Sequence, residues 1–176
     1  MQFAARAREI QTEIIVLEER DISRAPGREV TPADLPALLE LGQKMHRAMI
    51  GEHGKFAGPY PNAYAIAHHQ VERDHLRAFF IRRDIAFVGF DGEQIILNPS
   101  WEPQGTATTE IREGCMTHGG RGDRKTRRFA NIMAEFYVPA FGELKKIRMP
   151  LDALPARIFQ HETDHTNGKT IYSDRL

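Results

Sequence analysis

Residues 159–168 read Phe-Gln-His-Glu-Thr-Asp-His-Thr-Asn-Gly and carry a pattern of two histidines and a glutamate. His161 and His165 are four residues apart, and Glu162 directly follows the first. Positions i and i+4 share one face of an α-helix, so both imidazoles can bind one metal ion with the carboxylate beside it. This H-E-x-x-H arrangement supplies two nitrogen ligands and a general base, as in metal-dependent hydrolases. Asn167-Gly168 predicts the end of the helix.

Cys115 is the only cysteine of the chain and the candidate third ligand. A lone cysteine cannot form an intramolecular disulfide, and its plain interpretation is a small buried apolar residue. The alternative is a thiolate that joins His161 and His165 in a Cys-His-His site with a fourth position open to water. Gly114 would let the backbone approach the metal closely. We favour the metal-ligand interpretation.

Two motifs of this chain resemble those of the peptide deformylases. Residues 113–117 read Glu-Gly-Cys-Met-Thr and residues 160–165 read Gln-His-Glu-Thr-Asp-His, which are similar to the family signatures E-G-C-L-S and Q-H-E-x-D-H in order and spacing. Residues 95–99, Ile-Ile-Leu-Asn-Pro, also fit a recurrent stretch of the family. The resemblance runs from about residue 30 to residue 172. We therefore identify the chain as a divergent member of the family.

The third family motif, G-x-G-L-A-A-x-Q, is eroded. Its best match is the stretch that ends at Gln70, in which Ala63 and Ala65 replace two glycines and His68 replaces an alanine beside His69. In the family this segment forms a wall of the substrate cleft, so these changes are expected to narrow or repolarise that wall.

The resemblance implies an α+β fold with mixed or antiparallel strands around a late helix that carries the histidines. It implies removal of the N-formyl group from N-formylmethionyl peptides during protein biosynthesis. Metal-activated water would attack the formyl carbonyl, with Glu162 as general acid and base. The Gln70 side chain and the Met116 backbone N–H would stabilise the charge on oxygen. Gln160 and Asp164 are candidates to orient a ligating imidazole or the loop beside it, and each could equally be an exposed residue of the helix.

The resemblance also implies a metal ion held by Cys115, His161 and His165. The family points to ferrous iron, with zinc or nickel as substitutes. The chemistry of one thiolate and two imidazoles by itself favours zinc.

The identity of the substrate stays open at this point. It is either the N-formylmethionine end of a nascent polypeptide or another formylated peptide or small molecule. His68 or His118 could read the substrate, although a surface or hydrogen-bonded histidine is the plain interpretation of each, and the role of His69 stays open. Arg121 matches a stretch at the cleft edge in which the family places a basic residue that grips substrate carbonyls.

Two other functions remain as alternatives. A zincin-type endopeptidase would take its third ligand downstream of the motif, but no histidine or glutamate follows His165. A metal-bound relative without turnover would serve as a binding module. The presence of Glu162 argues against this second alternative because a binding module needs no general base, whereas the eroded motif before Gln70 argues for it.

The composition indicates one globular domain over residues 1–176. The 24 basic and 24 acidic residues cancel, so we expect no direct nucleic-acid binding and no attraction to a membrane surface. No apolar run is long enough to span a bilayer. A single cysteine and a charged N-terminus without a signal-peptide pattern predict a cytoplasmic protein. The chain ends at Leu176 without the C-terminal helix that docks some deformylases on the ribosome, so we expect no ribosome association by that route.

The chain pattern predicts two helices separated by strands. Thr31-Pro32 predicts the start of a helix that runs to about Ile50 with its leucines and methionines on one face. Pro150 and Asp152 are expected to precede the last helix. The stretch from Gly51 to Asn62 is expected to form a long loop. Predicted strands cover residues 78–81, 85–90, 95–97, 106–111, 127–138 and 144–148.

Overall fold

The computed structural model describes residues 14–18, 20–50, 56–57, 63–82, 95–117 and 121–173. Two α-helices and nine strands lie within these ranges. In chain order they are β1 (Ile14–Ile15), α1 (Leu35–Ile50), β2 (Phe56–Ala57), β3 (Ala65–Ala67), β4 (Ala78–Ile81), β5 (Ile95–Pro103), β6 (Thr108–Glu113), β7 (Arg124–Phe129), β8 (Asn131–Ala140), β9 (Glu143–Asp152) and α2 (Ala153–Thr166).

The main sheet has five strands in the order β3-β4-β5-β8-β9, and every neighbouring pair is antiparallel. Strands β6 and β7 form a separate antiparallel hairpin, and β1 and β2 form a short parallel pair. Strand pairing therefore agrees with the predicted α+β class of mixed and antiparallel strands.

The central strands are buried on both faces and divide the core into two layers. On β4, Phe80 belongs to the layer that contains α1, whereas Phe79 belongs to the layer that contains α2. Ile95 and Ile96 of β5 alternate in the same way, because successive strand residues point to opposite faces. The sheet thus lies between the two helices at this point.

Helix α2 is anchored to the sheet by one aromatic residue. The ring of Phe159 lies 5.6 Å from that of Phe79 and 5.7 Å from that of Phe136, centroid to centroid. Phe159 is fully buried, so this contact fixes the rotation of the helix about its axis. The neighbouring turn of the helix, which carries His161, is held in place by the same packing.

Helix α1 begins later than the sequence pattern predicts. Residues Pro32–Asp34 form a 3₁₀ turn, and the α-helix runs from Leu35 to Ile50. The Thr31 backbone N–H donates to the Asp34 carboxylate at 2.8 Å, which caps the start of this turn.

Three predicted strand boundaries are wrong. The sequence pattern predicts that β5 ends at Leu97, but the strand continues to Pro103 through a bulge in which Asn98 has a φ of 48°. Asparagine tolerates this conformation, and its side chain is fixed by bonds to both backbone groups of Val30, with an Oδ1–N distance of 2.7 Å and an Nδ2–O distance of 3.0 Å. The predicted strand 127–138 is two strands, because β7 pairs with β6 and β8 pairs with β5 and β9. Strand β9 includes Pro150, which an edge strand accommodates.

The remaining predictions divide into three groups. Strands at 78–81 and near 106–111 and the histidine-bearing helix are confirmed. The predicted strand 85–90 lies outside the described residues. The predicted loop 51–62 also lies outside them except at β2, which pairs with β1 and is therefore a strand.

Candidate metal centre

Cys115, His161 and His165 come together in the folded chain. One donor atom from each lies within 4.8 Å of the other two, and Cys115 Sγ is 3.3 Å from His165 Nε2. The three side chains are only 4%, 9% and 0% exposed. Donors that share one divalent ion at about 2.0–2.3 Å lie roughly 3–4 Å apart. The Cys115–His165 distance falls in this interval, and the 4.8 Å limit on the other distances is close to it. The three residues fit the predicted ligand set.

Two elements bring these donors together. Helix α2 places His161 and His165 on one face, and their ring centroids are 5.0 Å apart. Cys115 lies two residues after the end of β6. The site therefore depends on how the β6–β7 hairpin packs against α2.

Glu113 holds the outer side of His161. Its Oε2 lies 3.0 Å from His161 Nδ1, which leaves the other ring nitrogen for the metal side. Arg128 donates to the same carboxylate through Nε at 3.0 Å and Nη2 at 2.9 Å, and Arg157 Nη1 also donates to it. Burial alone would raise the pKa of Glu113, but the bonds from His161 and Arg128 outweigh burial and hold that pKa well below its usual range. Glu113 is thus ionised.

The surroundings of His161 favour positive charge. Burial alone would lower its pKa, but the contacts with Cys115 and Glu113 outweigh burial and raise that pKa to about 10. A divalent cation beside the Cys115 thiolate would supply this positive charge in place of a proton on the His161 ring. The electrostatics therefore agree with the donor spacing.

Glu162 is buried with one oxygen that lacks a partner. The side chain is 4% exposed, and among the described residues Oε2 has no hydrogen-bond partner. Burial is the main cause that raises the pKa of this carboxyl to about 7. A carboxyl group with a pKa near neutrality can both accept and release a proton at physiological pH.

Gln70 lies beside Cys115 with its amide held in one orientation. It belongs to a buried 3₁₀ turn after β3, and its Oε1 accepts the Ala67 backbone N–H at 2.8 Å. Its Nε2 consequently faces the site, 3.6 Å from Cys115 Sγ and 3.1 Å from Thr117 Oγ1. The side chain is 2% exposed, so it is not a solvent-facing loop glutamine.

A cavity of about 430 Å³ opens onto the donor set. Gln70, Cys115, Met116, His161 and Glu162 line it together. Further along, its wall combines apolar side chains with charged ones, namely Tyr64, Ile111, Leu154, Ile158, Arg112, Asp123 and Arg157. Two of the three predicted ligands, Cys115 and His161, therefore line the same cavity as the three predicted catalytic residues.

A known protein family matches nearly the whole chain. The sequence model of the family described as polypeptide deformylase matches residues 12–176, nearly the whole chain.

The chain belongs to the polypeptide deformylase family.

Individual family members match it over shorter segments. Peptide deformylase 1 of Bifidobacterium longum is 39% identical over 93 residues, which cover 53% of this chain and 39% of that protein. Peptide deformylase of Bifidobacterium adolescentis is 40% identical over 80 residues, or 46% of this chain and 34% of that protein. The matched segments therefore span less than two fifths of the length of these curated relatives.

Solved structures of the family have the same fold. Plasmodium falciparum peptide deformylase, in complex with an inhibitor, superposes with a TM-score of 0.66 at 25% identity, over 89% of this chain and 85% of that chain. Arabidopsis thaliana peptide deformylase 1B gives a TM-score of 0.69 at 22% identity, over 92% of this chain and 81% of that chain. These structures confirm the predicted fold, and the family model confirms the predicted family. The family implies a divalent metal ion, and the donor set described above fits one.

Some residues singled out in the sequence lie elsewhere. His68 is buried, and its Nδ1 accepts the Leu76 N–H at 3.1 Å, so the structure favours a hydrogen-bonded histidine over one that reads the substrate. Arg121 is exposed, with its guanidinium 5.2 Å from the ring centroid of Tyr172, and is not among the residues that line the cavity. His118 lies outside the described residues. Ala63 and Ala65 line the cavity, as expected of a cleft wall.

Gln160 and Asp164 support the site from outside it. Gln160 exchanges two hydrogen bonds with the backbone of Phe129, accepting at 3.0 Å and donating at 2.9 Å. It therefore ties α2 to the end of β7 and does not touch a ligating imidazole in these bonds. Asp164 accepts from Arg128 Nη1 at 2.5 Å. Through Arg128 it extends the network that ends at His161.

Sequence reasoning missed Arg128, Arg157 and the roles of Glu113 and His69. Arg157 precedes His161 by one helical turn, so a helical projection of α2 would have placed it on the ligand face. Arg128 and Glu113 meet only through the β6–β7 pairing, for which the sequence carries no comparable signal. His69 is fully buried, and burial lowers its pKa to about 4, so the ring is neutral at pH 7.

Within the described ranges, the structure contains no helix that is both long and apolar enough to cross a membrane.

Proposed function

We propose that this chain hydrolyses the formamide bond of N-formylated peptides and releases formate and a free amine. The observation that carries the proposal is Glu162, a buried carboxyl group with one oxygen that has no partner among the residues the structure describes, in the cavity that also holds Cys115 and His161. The names of the curated relatives, all peptide deformylases, support the same reaction.

The ligand set in this proposal is Cys115, His161 and His165. A divalent metal ion bound there would polarise the formyl oxygen and make a water molecule acidic enough to react near pH 7. We propose ferrous iron as the native ion, with zinc or nickel as functional substitutes.

Glu162 moves the proton in the proposed reaction. It accepts a proton from the attacking water as the new C–O bond forms at the formyl carbon. It then donates that proton to the amine nitrogen as the C–N bond breaks. The raised pKa of Glu162, about 7, suits both steps because the carboxyl group exchanges protons readily at neutral pH.

Gln70 and Met116 stabilise charge on the formyl oxygen in the proposal. The Gln70 amide is oriented by its bond to Ala67, so its Nε2 is preorganised for donation. The backbone N–H of Met116 is the second donor, which does not depend on the Met side chain. Donors that are fixed before the reaction need no reorganisation as the charge develops.

The residues of the cavity wall indicate which substrate the cavity can bind. Ile111, Leu154 and Ile158 offer apolar surface that suits a methionine side chain next to the formyl group. Arg157 lies in the same wall, but both of its Nη nitrogens already donate to Glu113 and Thr109. We therefore propose an N-formylmethionyl peptide as the substrate. The test must distinguish this substrate from a different formylated compound.

The test measures the release of amine from a short N-formyl-Met peptide by protein purified without oxygen and loaded with Fe²⁺. The proposal predicts hydrolysis that a chelator abolishes and that added Fe²⁺ restores. The matched N-acetyl-Met peptide should react far more slowly. Turnover of another formylated amine without turnover of the Met peptide would keep the reaction and change the substrate. Stoichiometric metal binding with no turnover of any formylated amine would contradict the proposal and leave a binding module.

A further inference from the structure

A buried histidine outside the donor set contacts one of the three donors. His69 Nδ1 lies 3.4 Å from His165 Nδ1, and both side chains are 0% exposed. Their ring centroids are 5.6 Å apart. His165 directs its other nitrogen, Nε2, toward Cys115 Sγ at 3.3 Å. His69 therefore touches the side of the imidazole that faces away from the metal position.

The far side of His69 determines which of its nitrogens carries a proton. His69 Nε2 lies 2.6 Å from the backbone carbonyl oxygen of Ser23. A carbonyl oxygen only accepts hydrogen bonds, so Nε2 of His69 is the donor. In a neutral imidazole the other nitrogen, Nδ1, is then an acceptor.

The position of the proton on His69 determines which nitrogen of His165 carries a proton. Because His69 Nδ1 accepts, the nitrogen that faces it, His165 Nδ1, carries the proton and donates it. His165 Nε2 is left with a free lone pair on the side of Cys115. The sequence of contacts from the Ser23 carbonyl through His69 thus selects the tautomer of His165 that can bind a metal ion.

We propose that His69 is a positioning residue that fixes the tautomer and orientation of the metal ligand His165. The inference rests on the proposed metal site. In this arrangement each ligating imidazole has one partner on the side away from the metal position. That partner is the Glu113 carboxylate for His161, at 3.0 Å, and His69 for His165. His68, the adjacent residue, is occupied by the Leu76 backbone N–H and has a separate role.

The test compares three substitutions at position 69. His69→Phe keeps an aromatic ring but removes both nitrogens. His69→Asn places an oxygen near the position of Nδ1 and so retains an acceptor for His165. His69→Gln reaches toward the position of Nε2 and retains only the contact with Ser23. Ser23→Ala is the control, because it leaves the backbone carbonyl in place.

The readout is the apparent dissociation constant for Zn²⁺, measured by competition with a chromophoric chelator at pH 7. Loss of an outer partner of a ligating histidine weakens metal binding by about 10–100-fold, and we expect this loss for His69→Phe and His69→Gln. His69→Asn should bind Zn²⁺ more tightly than His69→Gln, and Ser23→Ala should match the wild type. The visible spectrum of bound Co²⁺ should change in the same two variants that lose affinity.

Thermal unfolding of the metal-free proteins separates positioning from folding. If His69 matters only for packing, its substitution should lower the unfolding temperature, and the Asn and Gln variants should have equal affinity for Zn²⁺. Equal affinity of these two variants, or a wild-type dissociation constant for His69→Phe, would overturn the inference. If His69→Phe does not fold, the comparison of Asn with Gln decides alone.

The same experiment distinguishes failure of the inference from failure of the proposed function. Wild-type protein that binds no Zn²⁺, or that binds it equally after Cys115→Ser, would contradict the metal site itself. Wild-type protein that binds Zn²⁺ through Cys115 while His69→Phe binds as tightly would contradict only the role of His69.

Discussion

At the scale of single residues, Glu162 combines deep burial with a position beside the metal donors. Its pKa, raised to about 7 by burial, predicts how the proposed reaction depends on pH. As a base Glu162 must be ionised, so kcat/KM should fall as the pH decreases through that pKa. A bound cation stabilises the carboxylate, so the midpoint should lie at or below about 7. A pH profile measured on metal-loaded protein with constant metal content checks this. A rate that does not fall anywhere between about pH 4 and about pH 7, the interval from the usual glutamate pKa to the raised one, would argue against Glu162 as the base.

Gln70 gives a second prediction at this scale. Removing one preorganised donor to a developing oxyanion lowers kcat by about 10²–10³-fold, and we expect this for Gln70→Ala. The exposed glutamine Gln104 supplies a matched control, Gln104→Ala, which should leave kcat unchanged. The metal content of both variants must be measured, because Gln70 also contacts Cys115. Full activity of metal-replete Gln70→Ala would remove Gln70 from the mechanism.

At the scale of elements, the end of α2 depends on a glycine that nothing larger can replace. Gly168 has a φ of +71°, and a Cβ atom there would lie 2.5 Å from the Arg24 carbonyl oxygen. Gly142 has a similar φ of +82° but open space around it. Gly168→Ala should therefore lower the free energy of unfolding by about 3 kcal/mol or more, since backbone strain and a steric clash add. Gly142→Ala should cost only about 1–2 kcal/mol, from the backbone conformation alone.

Urea unfolding of the two glycine variants measures this difference. If Gly168→Ala and Gly142→Ala lowered the free energy of unfolding equally, the backbone at Arg24 would be able to move away from residue 168 without loss of stability. The packing of that segment against the end of α2 would then need to be revised.

The helix α2 was predictable because its signal is local. Two histidines at i and i+4 share a face in any α-helix, and Asn167-Gly168 ends the helix through its own backbone preference. The resemblance to the family, carried by the motifs around Cys115 and His161, was confirmed together with the fold.

Features that depend on tertiary contacts were not predictable in this way. Asn98 looked like the end of a strand, but its side chain fits a bulge because Val30, distant in the chain, supplies both bonding partners. The burial of Gln70 follows from the packing of its 3₁₀ turn against Cys115 and not from the polarity of the segment. The two histidines before Gln70 appeared equivalent in sequence, yet in the fold His69 contacts the candidate ligand His165 and His68 bonds to the backbone of Leu76. Their different roles depend on Ser23 and Leu76, which approach from other parts of the fold.

At the scale of the whole molecule, the network around Glu113 joins the β6–β7 hairpin to α2. The pKa of Glu113 is lower in the folded protein than its ordinary value of 4.5, chiefly because the bonds from His161 and Arg128 outweigh burial. An acid with a depressed folded pKa contributes stability above its unfolded pKa and loses that contribution as the pH falls below it. The free energy of unfolding should therefore decrease steadily below a pH of about 4.5.

Chemical denaturation at a series of pH values checks this prediction, with Glu113→Gln as the comparison. That variant cannot ionise at position 113, so its stability should change less between pH 5 and pH 3, a range chosen to bracket the usual carboxyl pKa. The exposed residue Glu143 offers a matched control, because Glu143→Gln should retain the wild-type dependence. If the free energy of unfolding of Glu113→Gln and of the wild type changed with pH in the same way, Glu113 would be excluded as a source of acid sensitivity.

The most direct test of the central claim is the hydrolysis of an N-formyl-Met peptide by metal-loaded wild type and by Glu162→Gln, with the metal content of both measured. The account predicts that Glu162→Gln keeps its metal, because the donors are Cys115, His161 and His165. It also predicts that kcat falls by about 10²–10⁴-fold, the usual contribution of a general acid and base. Wild-type turnover by metal-replete Glu162→Gln would contradict the account, because the proton would then have to move by a route that does not use this carboxylate.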